Sequence, residues 1–161
     1  MDRKGQMIKK IFIPILLAII LCAAPSWATT FHVTQAGGVG SNPLSAAQFN
    51  GLSGNYSNDI FYFSGSFSTK IEPKIYGTGT GASVVTLDGY EGGDCDPIND
   101  NCASGALIPG LRIQDGHDYI TVQDFRATGF PTWDDGGTAL FYIGSVTQSQ
   151  TSDYIIIRRN Y

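Results

Sequence analysis

Beyond one short segment, no stretch of this sequence has helical periodicity, and no apolar run reaches the roughly 20 residues that a bilayer-spanning helix needs. Charged residues are scarce, 15% of 161. After residue 28 the longest basic cluster is Arg158-Arg159, which argues against a phosphate-backbone partner and so against nucleic-acid binding. The two histidines, His32 and His117, are far apart, and neither has a partner at zinc-ligand spacing; His117, in Asp115-Gly116-His117-Asp118, reads as part of a turn. A Gly-x-Ser-x-Gly elbow, a phosphate loop and a Cys-His arrangement are all missing, so ordinary hydrolase and nucleotide chemistry lack support.

What is present begins with a three-part leader. Arg3, Lys4, Lys9 and Lys10 form a basic stretch, Ile11 to Ala24 an apolar run, and Ser26-Trp27-Ala28 a small-residue cleavage signature. The expectation is a signal peptide over 1–28, cut after Ala28, and export to the periplasm, the cell surface or the medium. A membrane anchor is the competing reading, but the run has 14 residues with Pro14 inside it. Cys22 follows Leu21, where a bacterial lipoprotein signal would have Gly, Ala or Ser, so lipidation is not expected.

Processing removes four of the ten basic residues and one of the fourteen acidic ones, leaving a net charge of −7 over 29–161. An acidic surface favours a bound divalent cation. The 133 residues from Thr29 onward suffice for one domain with a core. Only Cys95 and Cys102 remain, and an exported chain meets an oxidising compartment, so a local Cys95–Cys102 disulfide is expected, ordering a surface loop rather than the fold.

Runs of β-branched and aromatic residues recur between Gly, Asn and Asp punctuation: Phe31–Thr34, Ile60–Phe63, Lys70–Tyr76, Val84–Leu87, Leu111–Gln114, Tyr119–Phe125, Ala139–Ile143 and Tyr154–Arg158. The chain therefore reads as all-β. The exception lies between Pro43 and Leu52, where Ser45 and Gln48 fit a capping box and Leu44, Ala47, Phe49 and Leu52 share a side. Either a loop turn or a short helix capping the open end of a sheet stack fits.

An internal repeat points to the architecture. Asp118-Tyr119-Ile120-Thr121-Val122-Gln123 returns 35 positions later as Asp153-Tyr154-Ile155-Ile156-Ile157-Arg158. Period-two geometry puts Ile120 and Val122 on one face with Ile155 and Ile157, and Thr121 and Gln123 on a largely solvated face with Ile156 and Arg158. Stacked units produce such repeats, and the two copies are expected side by side and parallel.

These residues, with Leu111-Arg112-Ile113, Asp124-Phe125, Thr128-Gly129 and Arg159-Asn160-Tyr161, resemble the rungs of right-handed parallel β-helix proteins of the pectate-lyase-like superfamily. Asp59-Ile60-Phe61-Tyr62-Phe63-Ser64-Gly65 and Gly77 to Gly89 resemble the opening coils of those proteins. The resemblance spans most of 30–161 and specifies a fold far better than an activity. It implies an all-β, right-handed parallel β-helix (a solenoid), incomplete at Tyr161, with Asp124 and Asn160 at sharp corners where a left-handed backbone is tolerated.

Candidate chemistry sits in two acidic loops. Asp94, Asp96, Asn99 and Asp100, around Cys95, supply alternating hard oxygens suited to Ca²⁺, though without an EF-hand pattern; a disulfide-pinned solvated loop is the other reading. Trp133, Asp134 and Asp135 place a ring beside two carboxylates, an arrangement suited to a sugar, or simply a turn whose Trp covers a core edge. Lyases of the resembled superfamily use Ca²⁺ held by acidic side chains with an Arg or Lys base. No complete set is visible, so no catalytic residue carries over; Arg112, Arg126 and Arg158 are candidates by type alone, and a plain surface role is the favoured reading of each. Two functions follow as expectations: a carbohydrate-active lyase or hydrolase whose active site lies beyond these coils, or a non-catalytic extracellular β-helix that adheres to or binds polysaccharide.

Overall fold

The computed structural model describes residues 28–78, 83–92, 105–114, 116–127, 129, 131–132, 139–143 and 154–161. Its framework is a six-stranded, wholly parallel sheet. In chain order the strands are β1 (Thr30–Thr34), β2 (Pro43–Ser45), β3 (Ser53–Asn55), β4 (Ile60–Phe63), β5 (Lys74–Tyr76), β6 (Val85–Asp88), β7 (Leu107–Ile108), β8 (Leu111–Ile113), β9 (Ile120–Gln123), β10 (Arg126–Ala127), β11 (Phe141–Ile143) and β12 (Ile155–Arg158), and among the described residues there is one helix, α1 (Ala46–Asn50). The large sheet runs β12-β9-β6-β4-β1-β2, and the other strands of the described residues form three parallel pairs, β3 with β5, β7 with β10 and β8 with β11.

Register follows the repeat. Ile155 and Ile157 pair with Ile120 and Val122, in parallel as the 35-residue spacing implies. Leu87 and Phe61 continue the Val122 row, and Phe31 ends it. Phe61, Phe63, Val85, Leu87, Ile120 and Val122 are all buried, so alternate residues of these strands form the core. Aromatic rings fill it at the β1 end: Phe31 stacks on Phe61 at 4.7 Å, and Phe49 of α1 meets Phe61 and Phe63 edge-on at 5.1 and 4.9 Å.

Several boundaries differ from the sequence reading, each for a local reason. Strand β9 stops short of Tyr119 and Asp124 because both take a left-handed backbone, φ 56° and 61°. Its repeat β12 is bounded in the same way by Tyr154 (57°) and Arg159 (50°). Arg159, not Asn160, therefore turns the second corner. Asn160 stabilises it instead, accepting from the Phe125 amide (2.9 Å) and donating to the Val122 carbonyl (3.1 Å). The expected strand over Lys70–Tyr76 shrinks to β5 plus a single bridge at Ile71, since Pro73 cannot donate to a ladder.

The capping box at Ser45 and Gln48 is formed, and α1 is a helix. Its apolar side is the expected one at Leu44, Phe49 and Leu52 and differs at one position, where Ala46 replaces Ala47. Ala46 and Phe49 are buried while Ala47 is exposed; Leu44 and Leu52 pack against the core from either side. Among the described residues no helix is long and apolar enough to cross a membrane.

One glycine marks a tight point between successive corners. A Cβ on the buried Gly89 would lie 2.3 Å from the Asp124 carbonyl oxygen and 2.9 Å from the Phe125 Cα, both backbone atoms. Gly89→Ala is therefore expected to lose about 1–3 kcal/mol of stability through overpacking. Chemical denaturation reads this directly, and a wild-type midpoint would mean that the corner can yield.

Candidate functional site

Facing away from the core, the large sheet carries a second row in register: His32 on β1, Tyr62 on β4, Asp88 on β6, Gln123 on β9 and Arg158 on β12. Every member is polar or amphipathic. Beside it runs a row of Thr30, Ile60, Thr86, Thr121 and Ile156. This face is drier at its centre than the repeat alone suggests: Thr121 is 4% exposed, Gln123 7% and Asp88 6%. The expectation of a largely solvated face fails at these positions.

Gln123 is the hinge of the row. Its amide N–H donates to Asp88 Oδ2 at 2.6 Å, and its carbonyl oxygen accepts from Arg158 Nε and Nη2 at 2.9 and 2.7 Å. The three residues are spaced by 35 positions each, so one period builds the whole chain of contacts. Asp88 Oδ1 also accepts from the Tyr90 amide at 2.8 Å. One position further along the repeat, Arg159 grips the fully buried Asp124 carboxylate with two parallel bonds of 2.8 Å.

Burial, then the nearby Asp124 charge, raises the Asp88 carboxyl above its usual value; hydrogen bonds from Tyr90 and Gln123 and the Arg159 charge oppose the rise without cancelling it. The Tyr62 phenol is raised as well, by burial and by the charges of Asp88 and Glu91. At the β1 end, His32 is raised by its bond to Glu91 and by the Ser41 backbone. With its proton on Nε2 the ring donates to Glu91 Oε1 (2.9 Å) and accepts the Ser41 N–H at Nδ1 (2.9 Å). The Ser41 carbonyl lies 3.0 Å from the same nitrogen and can accept once that nitrogen is also protonated.

The row thus holds an imidazole, a phenol, a carboxyl, an amide and a guanidinium at successive strand spacings. Its centre, Asp88 and Gln123, is buried and internally bonded, so the groups left to meet a hydroxyl-rich molecule lying across the strands are those toward the two ends, His32, Tyr62 and Arg158. No protein-family model, curated protein or solved structure matches the chain.

The loops singled out in the sequence, Asp94, Cys95, Asp96, Asn99, Asp100 and Cys102 in one, Trp133, Asp134 and Asp135 in the other, lie outside the described residues. Among the described residues no group of three or more His, Cys, Asp or Glu side chains is placed to hold a metal ion. The three arginines are not brought together: Arg112 is on β8, Arg126 on β10 and Arg158 on β12, strands of three different sheets. Arg112 stands 5.3 Å from the Tyr142 ring on the neighbouring strand, a cation–π contact. His117 closes a turn, its ring Nδ1 3.0 Å from the Gln114 carbonyl oxygen.

The sequence alone does not single out Asp88, Tyr62 or Glu91 as site residues, and His32 enters it only as a histidine without a zinc-ligand partner. A signal for Asp88 existed: Val85-Thr86-Leu87-Asp88 precedes Ile120-Thr121-Val122-Gln123 by the same 35 residues that separate Gln123 from Arg158. Tyr62 and His32 lie 26 and 30 residues further back, off that period, and only strand pairing reveals their place.

Proposed function

We propose that the chain is a secreted, right-handed parallel β-helix that binds a polysaccharide across the outward row of its large sheet. Support for the helix comes from the parallel register of successive visits to one sheet and from left-handed corners at equivalent positions on β9 and β12. Support for export is the leader over 1–28. The observation that carries the binding reading is the in-register row from His32 to Arg158, five side chains on strands about 4.8 Å apart, a strip about 19 Å long.

A strip of that length spans several sugar units. Tyr62 offers a ring and a hydroxyl and Arg158 a planar donor group, while the buried Asp88 and Gln123 hold Arg158 in place from beneath. Ca²⁺ held by Asp94, Asp96, Asn99 and Asp100 belongs to the same reading, as a bridge between an acidic protein and an acidic polymer.

Co-sedimentation with insoluble neutral and acidic polysaccharides, with and without Ca²⁺, tests it. Retention of the wild-type chain on at least one polymer is expected, with a loss of about tenfold in Tyr62→Ala and Arg158→Ala, the size of one or two hydrogen bonds. Equal retention of all three proteins, or none, counts against the row as the binding face. The raised Asp88 carboxyl does not carry a catalytic reading, because it is buried and both its oxygens accept hydrogen bonds from within the protein. The same mixtures, assayed for reducing ends and for unsaturated product, are expected to show binding without turnover.

A further inference from the structure

A polar cleft of about 440 Å³ opens where β1 and β4 begin, lined by Thr29, Asn55, Ser57, Asn58, Asp59 and Thr78 among others. Among the described residues that line it, Asp59 is the one charged side chain. Its Oδ1 accepts from the backbone nitrogen of Thr29 at 2.8 Å, a contact between residues 30 apart. Both partners are held rigidly. The Thr29 carbonyl accepts from the Ile60 amide (3.0 Å), the Asp59 amide donates to the Tyr56 carbonyl (3.0 Å), and the Asp59 carbonyl accepts from Thr86 (3.0 Å). The preceding residue, Ala28, is exposed, so the chain meets solvent one residue before the cleft.

Thr29 is also the residue that follows the cleavage signature Ser26-Trp27-Ala28. We propose that this cleft is a receptor for the N-terminus created by processing: cleavage after Ala28 places the α-ammonium of Thr29 on the Asp59 carboxylate, anchoring β1 to β4 in the mature chain more firmly than in the unprocessed one. The inference rests on the export reading above. A signal-cleaving peptidase hydrolyses the Ala28–Thr29 amide with one water, leaving a carboxylate on the leader and an ammonium on Thr29. Where the intact chain offers Asp59 a single neutral N–H, the processed chain offers a positive charge and three N–H donors at the same position. Charge-assisted bonds of this kind are about twice as strong as neutral ones. The hydroxyls and amides of Ser57, Asn58 and Thr78 give the cleft further oxygens for the remaining donors.

The sign of the pH dependence follows. An α-amine whose folded pKa is raised by Asp59 contributes stability that is complete below its unfolded value, about 7.7–8.0, and lost as pH rises through the folded value. The test uses the 29–161 chain released with Thr29 first, the same chain α-N-acetylated, and both forms carrying Asp59→Asn, which keeps an oxygen acceptor but no charge. The Thr29 amine is expected to titrate about one unit or more above the ordinary range, with a higher thermal midpoint than the acetylated form at neutral pH and convergence in alkali. Both differences should vanish in Asp59→Asn. In the unprocessed 161-residue chain, the same substitution should shift the midpoint less. An ordinary amine titration with no effect of acetylation overturns the pairing. Mass and N-terminal sequence of the exported protein test the cleavage site separately: a first residue other than Thr29 removes the processing step, whatever the titration gives.

Discussion

Phe61→Ala is expected to lower the thermal midpoint by on the order of 10 °C or more and to broaden the transition. Phe61 is fully buried on β4 and touches three aromatic rings, with centroids 4.7 Å away at Phe31, 5.1 Å at Phe49 and 5.6 Å at Tyr56. Truncation removes the ring's transfer energy and leaves a cavity that rigid neighbours cannot fill, about 3–5 kcal/mol in comparable sites. A domain of this size has about 5–15 kcal/mol to lose. Because Phe49 belongs to α1 and Phe31 to β1, the loss also loosens the helix that covers this end of the core. Ile156→Ala is the matched control: Ile156 is 48% exposed on the outward face of β12, and its truncation should change stability by less than about 0.5 kcal/mol. Calorimetry on both variants separates core burial from mere apolar content, and similar midpoints would place the core elsewhere.

The strands were legible because their period of two is local. Ile120 and Val122 mark an inward face that is buried, and the 35-residue echo fixes the parallel pairing of Ile155 and Ile157 with them, although Ile157 on the end strand is 40% exposed. Where the echo fades, so does legibility. β1 and β4 pair in perfect register although His32 and Tyr62 are separated by a different interval from Tyr62 and Asp88. Intervening turns of unequal length absorb the difference, and turn length carries no sign of register.

The corner residue was misplaced for a related reason. Left-handed backbone favours Asn and Gly, which pointed to Asn160, yet Arg159 takes φ 50° there while its guanidinium holds the buried Asp124 carboxylate. A long-range ion pair outweighs a local preference worth about 1 kcal/mol. The polar row was hidden for the opposite reason. Asp88, Gln123 and Arg158 are three different residue types, so their common position reads as variation until the strands are laid side by side.

Gln123→Glu turns that row into a test of its own electrostatics. The wild-type amide separates two charged groups, giving a hydrogen to Asp88 and taking two from Arg158. A carboxylate at residue 123 keeps the Arg158 contacts but faces the Asp88 oxygen from the Gln123 Nε2 position, 2.6 Å away, with both groups buried. Two carboxylates at that distance cannot both ionise cheaply, so one proton is retained between them. Asp88 already sits above its ordinary value through burial, and the substitution removes one of the hydrogen bonds that restrain the rise. A carboxyl whose folded pKa is raised gives stability that is complete below the unfolded value of 3.8 and lost as pH climbs through the folded value. The variant is therefore expected to be destabilised by about 2 kcal/mol or more at neutral pH, the cost of an unpaired buried partner, and to recover steadily on acidification. The wild type should show the same trend with a smaller slope. Midpoints of denaturant unfolding between pH 7.5 and 4.5 measure both slopes. Parallel curves for the two proteins would mean that Asp88 and residue 123 do not share a site in solution, and the polar row would lose its central link.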